Sequence, residues 1–199
     1  MELIDTHCHL DVADFDADRR QVLERARQQG VQSMVVPAVD AEHWAGLIQL
    51  CDSDQALFPA LGLHPVYLQV HKPEDISALE SEIEQRRPVA VGEIGLDYFI
   101  RELDREKQRV LFEAQLEVAR NAGLPVILHV RKAHDQALSI LRRIRVRGGS
   151  AHAFNGSLQQ ARQYIDMGFK LGFGGMLTYQ RSHQLRRPAA ALPAPAPSR

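Results

Sequence analysis

The sequence predicts an α/β protein built as a TIM-type (β/α)8 barrel with about seven of its eight strand–helix units. Short apolar runs alternate along the chain with longer amphipathic stretches, as in a repeating strand–helix unit. The same alternation would suit a doubly wound open sheet. However, no run is followed by a GxGxxG or GxxxxGKS/T loop, which disfavours the nucleotide-binding open sheets. The barrel is therefore the leading architecture.

Seven apolar runs are predicted as strands and amphipathic stretches between them as helices. Asp104 is a plausible N-cap for a helix that Gly123 closes, and Gly30 ends the first helix in the same way. The predicted strands cover residues 2–6, 31–38, 57–63, 88–92, 125–129, 150–153 and 169–172.

The composition excludes several classes of protein. With 45% hydrophobic and 25% charged residues, it is that of an ordinary globular domain. The two cysteines, Cys8 and Cys51, form no CxxC pair, so neither a disulfide scaffold nor a structural zinc finger is expected. The sequence shows no leader pattern and no apolar run of spanning length. A reducing cytoplasmic location away from the membrane is the expectation.

Charge is divided unequally along the chain. Residues 1–130 hold 12 Lys and Arg against 23 Asp and Glu, whereas residues 131–199 hold 12 against 2. A basic half suggests an anionic partner, although a solvated helix face would show the same run of arginines.

Polar side chains end most of the predicted strands, where barrel enzymes place their chemistry. Alternation along the first strand puts Asp5, His7 and His9 on one side, so the two imidazoles can converge. Converging imidazoles and a carboxylate suit a divalent metal ion. The residues at predicted strand ends are His7, His9, His64, Glu93, His129 and His152.

Each histidine taken alone is more simply interpreted as a hydrogen-bonded structural residue. Five of the nine histidines nevertheless fall at strand ends, together with Glu93, whose carboxylate would be costly to bury unpaired. The pattern therefore favours metal binding. Cys8 should point to the side opposite its two histidine neighbours and serve in packing.

Five ordered segments resemble the TatD family of metal-dependent deoxyribonucleases in the amidohydrolase superfamily. They are residues 4–10 (IDTHCHL), 62–65 (GLHP), 92–98 (GEIGLDY), 129–131 (HVR) and 152–156 (HAFNG), and the resemblance covers about residues 1–187. Phosphotriesterase-like and urease-like members of the superfamily bridge their metals with a carboxylated lysine, whereas TatD-like members use a glutamate at this strand end. Glu93 stands at that position.

The resemblance implies a site for two divalent ions, Zn²⁺, Mn²⁺ or Mg²⁺. His7 and His9 would hold one ion, His129 and His152 the other, and Glu93 would bridge them. It further implies three catalytic residues, Glu93, His64 and Arg131, of which His64 and Arg131 would orient the substrate phosphate. A surface ion pair would explain Arg131 equally well. Asp97, Tyr98 and Asn155 would orient Glu93 or shape the rim.

The activity implied is hydrolysis of DNA phosphodiester bonds, from the 3′ end of single strands, with single-stranded DNA as the partner. Two alternatives stay open. One is a weakly active or inactive product that binds metal or nucleic acid, and the other is a superfamily hydrolase acting on another ester or amide.

The sequence departs from the family pattern at its end. Members carry an aspartate after the eighth strand, in a Glu-Thr-Asp-Ala-Pro-like motif, but the only acidic residue after Asp135 is Asp166, within a predicted helix. We therefore expect an incomplete barrel over residues 1–187, an Ala/Pro-rich tail over 188–199, and a chain shortened before strand eight. Exposed edges of such a sheet would favour self-association.

Overall fold

A computed structural model describes residues 2–179 of the chain. Its seven strands form one parallel sheet in which each strand pairs with its neighbour in sequence, from β1 to β7. The sheet curls into a partial barrel, which confirms the predicted fold class. The strands are β1 (Leu3–Asp5), β2 (Val31–Pro37), β3 (Leu57–Leu61), β4 (Ala90–Asp97), β5 (Val126–Arg131), β6 (Gly149–Ala151) and β7 (Phe169–Leu171).

One α-helix lies between each pair of consecutive strands. No helix within residues 2–179 has both the length and the apolar character needed to cross a membrane. The predicted tail and the rest of residues 180–199 lie outside the described part. The helices are α1 (Arg19–Gln28), α2 (Trp44–Asp52), α3 (Asp75–Arg86), α4 (Arg105–Ala122), α5 (His134–Arg143) and α6 (Leu158–Asp166).

The predicted helix ends are confirmed. The Asp104 carboxylate accepts hydrogen bonds from the backbone N–H groups of Glu106 and Lys107, at 2.9 and 3.1 Å. Gly123 closes α4 with a left-handed φ of 67°, and Gly30 follows α1 with a φ of 93°.

Two strands extend beyond their predicted carboxyl ends, and the other five end one or two residues earlier than predicted. β4 does not end at Gly92 but runs to Asp97, with all eight residues buried, and β5 continues to Arg131. The sequence prediction ended this strand before Glu93, because a carboxylate that is buried without a partner lowers the stability of the fold. Its burial inside a strand is possible because histidines from four other segments surround it.

Two buried glutamines of α4 hold the chain where it leaves β3 and β4. The Gln115 amide accepts from Leu63 N at 2.7 Å and donates to Leu63 O at 3.0 Å. Gln108 makes the same pair of bonds with Asp97, at 2.7 and 2.9 Å. Both side chains are fully buried and seven residues apart, so they project from the same side of the helix. They fix the backbone next to His64 and at Asp97.

Candidate metal centre

The carboxylate of Glu93 is the centre of the site. Its residue is 1% exposed, and all five histidines predicted from the strand ends have a ring nitrogen within 3.5 Å of one of its oxygens. Burial alone would raise the pKa of Glu93, but the hydrogen bonds from these rings hold it well below its ordinary value. The site therefore keeps a charged carboxylate away from water.

Oxygen Oε2 of Glu93 forms a nearly equilateral triangle with two imidazoles. His9 Nε2 lies 3.1 Å and His7 Nε2 3.2 Å from this oxygen, and the two nitrogens are 3.1 Å apart. Ligands held about 2.0 to 2.2 Å from one ion lie about 2.8 to 3.6 Å from one another, for ligand–metal–ligand angles between 90° and the tetrahedral angle. The triangle therefore has the size of a transition-metal site.

The chemistry of the two rings also fits a cation. His9 Nδ1 lies 3.0 Å from the carbonyl oxygen of Pro37, which can only accept, so a neutral ring keeps its lone pair on Nε2. Burial lowers the pKa of His7 and favours its neutral form. Burial lowers the pKa of His9, but its hydrogen bond with Glu93 outweighs this and raises the pKa, so positive charge is favoured beside this oxygen. The two Nε2 atoms are 3.1 Å apart, and lone pairs directed there by both rings would repel unless a cation or proton lay between them, so this corner suits a bound metal ion.

Oxygen Oε1 faces the second pair of predicted ligands. His152 Nε2 lies 2.9 Å and His129 Nδ1 3.0 Å from it. The other nitrogen of His129 lies 2.9 Å from Asp97 Oδ2, so the ring stands between two carboxylates. Burial lowers the pKa of His129, but the hydrogen bonds with Asp97 and Glu93 outweigh it and raise this pKa to about 9. The two carboxylates that favour the charged ring would also favour a metal ion that replaces the proton on Nδ1.

His64 approaches the same oxygen but suits another role. Its Nε2 is 3.5 Å from Glu93 Oε1, and its Nδ1 accepts a hydrogen bond from Val66 N at 3.1 Å. A neutral ring that accepts at Nδ1 carries its proton on Nε2. Although His64, Glu93 and His129 are close enough to share an ion, His64 is therefore better arranged as a hydrogen-bond donor.

The residues expected to orient Glu93 or to shape the rim each have partners of their own. Asp97 contacts His129 rather than Glu93. The guanidinium carbon Cζ of Arg105 lies over the Tyr98 ring, 4.7 Å from its centre. Asn155 faces His134 Nε2 at 3.2 Å, away from the carboxylate. Sequence reasoning missed His134, which is buried between Asn155 and the Tyr164 hydroxyl.

Arg131 makes no ion pair within residues 2–179, so the alternative interpretation as a surface ion pair has no support there. Its guanidinium lies over the Phe99 ring, 3.6 Å from the centroid. The side chain is exposed at the carboxyl end of β5.

Asp5 and Cys8 lie beside the first two histidines. β1 ends at Asp5, whose carboxylate accepts from His7 N at 3.0 Å and so turns the backbone instead of joining the cluster. Cys8 packs against the hydrophobic core, as predicted, and burial raises its pKa to about 11.

A buried carboxylate surrounded by histidines inside a parallel α/β barrel defines the class of metal-dependent hydrolases. The chain belongs to the TatD related DNase family, whose family model matches residues 4–196.

The descriptions of similar proteins agree with this class. The "Uncharacterized metal-dependent hydrolase YjjV" of Escherichia coli K12 is 44% identical over 193 residues, which are 96% of this chain and 74% of the relative. The mouse protein named "Putative deoxyribonuclease TATDN3" is 31% identical over 180 residues, 84% of this chain and 61% of its own length.

Solved structures share the fold. The crystal structure of E. coli YjjV, a TatD homologue, superposes with a TM-score of 0.92 at 43% identity and covers 96% of this chain and 75% of that one. A TatD family hydrolase from Entamoeba histolytica gives a TM-score of 0.85 at 21% identity, with 97% and 71% covered, and supports the fold alone.

Proposed function

We propose that this hydrolase cleaves phosphodiester bonds of DNA, acting from the 3′ end of single strands with two divalent ions. The observation that carries the proposal is that the two oxygens of one buried carboxylate, Glu93, face different imidazoles, two at Oε2 and three at Oε1, of which His64 is the most distant at 3.5 Å. Such an arrangement suits two ions that share a bridging ligand.

In this proposal His7, His9 and Glu93 Oε2 hold one ion, and His129, His152 and Glu93 Oε1 hold the other. Imidazole-rich ligation favours Zn²⁺ or Mn²⁺ over Ca²⁺. When bound, two such ions polarise a phosphoryl group and make water a stronger nucleophile at neutral pH.

The chain's own residues would position the substrate. The Nε2–H of His64 can donate to a phosphate oxygen at the edge of the carboxylate cluster. Arg131, exposed and without a carboxylate partner in the described part, offers a guanidinium fork that matches two phosphate oxygens.

The choice of DNA is supported by the family description and by the name of the mouse relative. The basic balance of residues 131–199 is suited to a polyanion. A cytoplasmic location is part of the proposal and agrees with the two free cysteines, Cys8 and Cys51.

Self-association is a further part of the proposal. Strand β1 is at one end of the sheet order, and its residues Leu3 and Ile4 are 40% and 66% exposed. An exposed strand edge with apolar side chains favours pairing with a second chain. A concentration-dependent sedimentation coefficient is expected, and one sharp monomer boundary at micromolar concentration would contradict it.

The proposed activity is tested with 3′-labelled and 5′-labelled single-stranded DNA in the presence of Mn²⁺ or Zn²⁺. Mononucleotide release from the 3′ end is expected, abolished by EDTA and by His129→Ala. A purified protein that binds metal but leaves DNA intact while cleaving carboxylic esters or amides would contradict it.

A further inference from the structure

A cluster of aromatic and basic side chains lies at the rim of the sheet, just beyond the metal centre. Asp97 in β4 is paired in register with Arg131 in β5, and Tyr98 N donates to Arg131 O at 2.8 Å. The residues that follow the two strands therefore leave the sheet side by side. We name this cluster the rim platform, and its members are Tyr98, Phe99, Arg101, Arg105, Arg131 and Lys132.

Two cation–aromatic stacks build the platform. The guanidinium of Arg131 lies over Phe99 at 3.6 Å, and that of Arg105 over Tyr98 at 4.7 Å. Phe99 is nonetheless 53% exposed, an unusual position for a phenylalanine. The platform thus presents flat, partly exposed surfaces that carry positive charge.

The charges of the platform are not neutralised within residues 2–179. None of Arg101, Arg105, Arg131 and Lys132 takes part in an ion pair there, whereas Arg109, one turn further along α4, is paired with both Glu106 and Glu113. Nearby carboxylates are already engaged, since Asp97 holds His129 and Asp104 caps α4. Two further carboxylates are beside the cluster: Glu102, and Asp135, which accepts from Gln160 at 2.7 Å.

A cavity of about 560 Å³ is lined by Glu102 and by the platform residues other than Arg131, which are Tyr98, Phe99, Arg101, Arg105 and Lys132. Its volume is within the range of small-molecule sites. Planar faces beside unpaired cations match unstacked bases joined by phosphates.

We infer that the rim platform binds single-stranded nucleic acid next to the metal centre, with bases stacked on the Phe99 and Tyr98 stacks and phosphates paired with Lys132 and Arg101. The inference rests on the proposed function and specifies how that site takes its substrate. Duplex does not suit the platform, because paired bases do not expose the faces that stacking requires.

The platform is tied to the metal centre through one carboxylate. Asp97 Oδ2 lies 2.9 Å from His129 Nε2, while Oδ1 accepts from Phe99 N at 2.9 Å. The side chain that positions a proposed ligand therefore also positions the loop that carries Phe99. A strand bound at the platform is held at a fixed distance from the hydrolytic centre.

The test is binding of a fluorescent single-stranded oligonucleotide by the full chain in EDTA, followed by anisotropy so that no hydrolysis intervenes. Phe99→Leu keeps apolar bulk but removes the aromatic face, and the dissociation constant should rise about 5- to 100-fold. Lys132→Gln should reduce the slope of log affinity against log salt concentration by about one, the value for one lost phosphate contact.

Two matched controls lie outside the platform. Phe58→Leu changes another partly exposed phenylalanine, 36% exposed, and Arg109→Gln removes a charge that is already paired on α4. Both should bind the oligonucleotide as the parent chain does. Unchanged binding by Phe99→Leu and Lys132→Gln, or equal affinity of the parent for a hairpin duplex, would overturn the platform.

A second readout separates this inference from the proposed function. Hydrolysis of bis(4-nitrophenyl) phosphate with Mn²⁺ reports the metal centre without a strand to bind. If the small diester is cleaved but Phe99→Leu binds strands normally, the platform is wrong and the proposed function stands. If strand binding depends on Phe99 but neither DNA nor the small diester is cleaved, the platform stands and the proposed function fails.

Discussion

Asp97 fixes the orientation of His129 through the 2.9 Å contact between carboxylate Oδ2 and imidazole Nε2. With a proton on Nε2, the lone pair of a neutral ring is on Nδ1, which faces Glu93 Oε1 at 3.0 Å. Outer carboxylates of this kind set the tautomer and basicity of metal-binding imidazoles.

Asp97→Asn should therefore weaken metal binding by about 10- to 100-fold. The two donors, Phe99 N and His129 Nε2, contact different oxygens of the carboxylate, and in the amide one of these oxygens becomes an NH2 group that cannot accept. Competition against a chelator of known affinity measures the change. Asp166→Asn, at the end of α6, serves as control, and equal affinities for the two variants would refute the role of Asp97.

Glu93→Gln should abolish metal-dependent stabilisation. An ion that binds only the folded chain raises its stability, by about 4 kcal/mol at a thousand times the dissociation constant. Thermal melts with and without Zn²⁺ should show a large shift in Tm for the parent chain and little for the variant. Equal shifts would mean that the stabilising ion binds elsewhere.

His64→Ala should separate metal binding from catalysis. Because His64 Nδ1 accepts from Val66 N, its Nε2–H is arranged to donate, and the metal content should change less than in Glu93→Gln. Loss of one donor to the substrate should reduce kcat/KM by about 100-fold. Metal analysis with steady-state kinetics checks both, and a metal-free His64→Ala protein would make His64 a ligand.

Gln115→Leu should destabilise the fold by about 2 to 4 kcal/mol. The change leaves the buried N–H and C=O of Leu63 without the amide that bonds both. Urea unfolding measures the loss. Gln85→Leu on α3, whose amide contacts only the exposed Ser81, should stay within about 0.5 kcal/mol, and a similarly small effect at Gln115 would contradict the prediction.

The sequence identified the barrel and all five histidines around Glu93, because apolar periodicity and strand ends are local signals. The contacts of the two buried α4 glutamines had no such signal. Gln115 bonds Leu63, which is 52 residues away in sequence, and a glutamine in a helix usually indicates an exposed face. The contact between Asp97 and His129, 32 residues further along the chain, also had no local signal, and the sequence predicted only that Asp97 would orient Glu93 or shape the rim. Contacts between distant segments decide these pairings, and single residues do not reveal them.

The two buried glutamines of α4 also affect which segments of the chain can change in sequence without disturbing the site. Gln108 and Gln115 fix the backbone at Asp97 and Leu63 from the helix, independently of the segments that follow. Insertions or exchanges beyond His64 and beyond Asp97 can therefore accumulate without displacing these two residues. Loop grafting from distant relatives onto this scaffold should change which substrates are accepted while the hydrolytic chemistry is inherited intact.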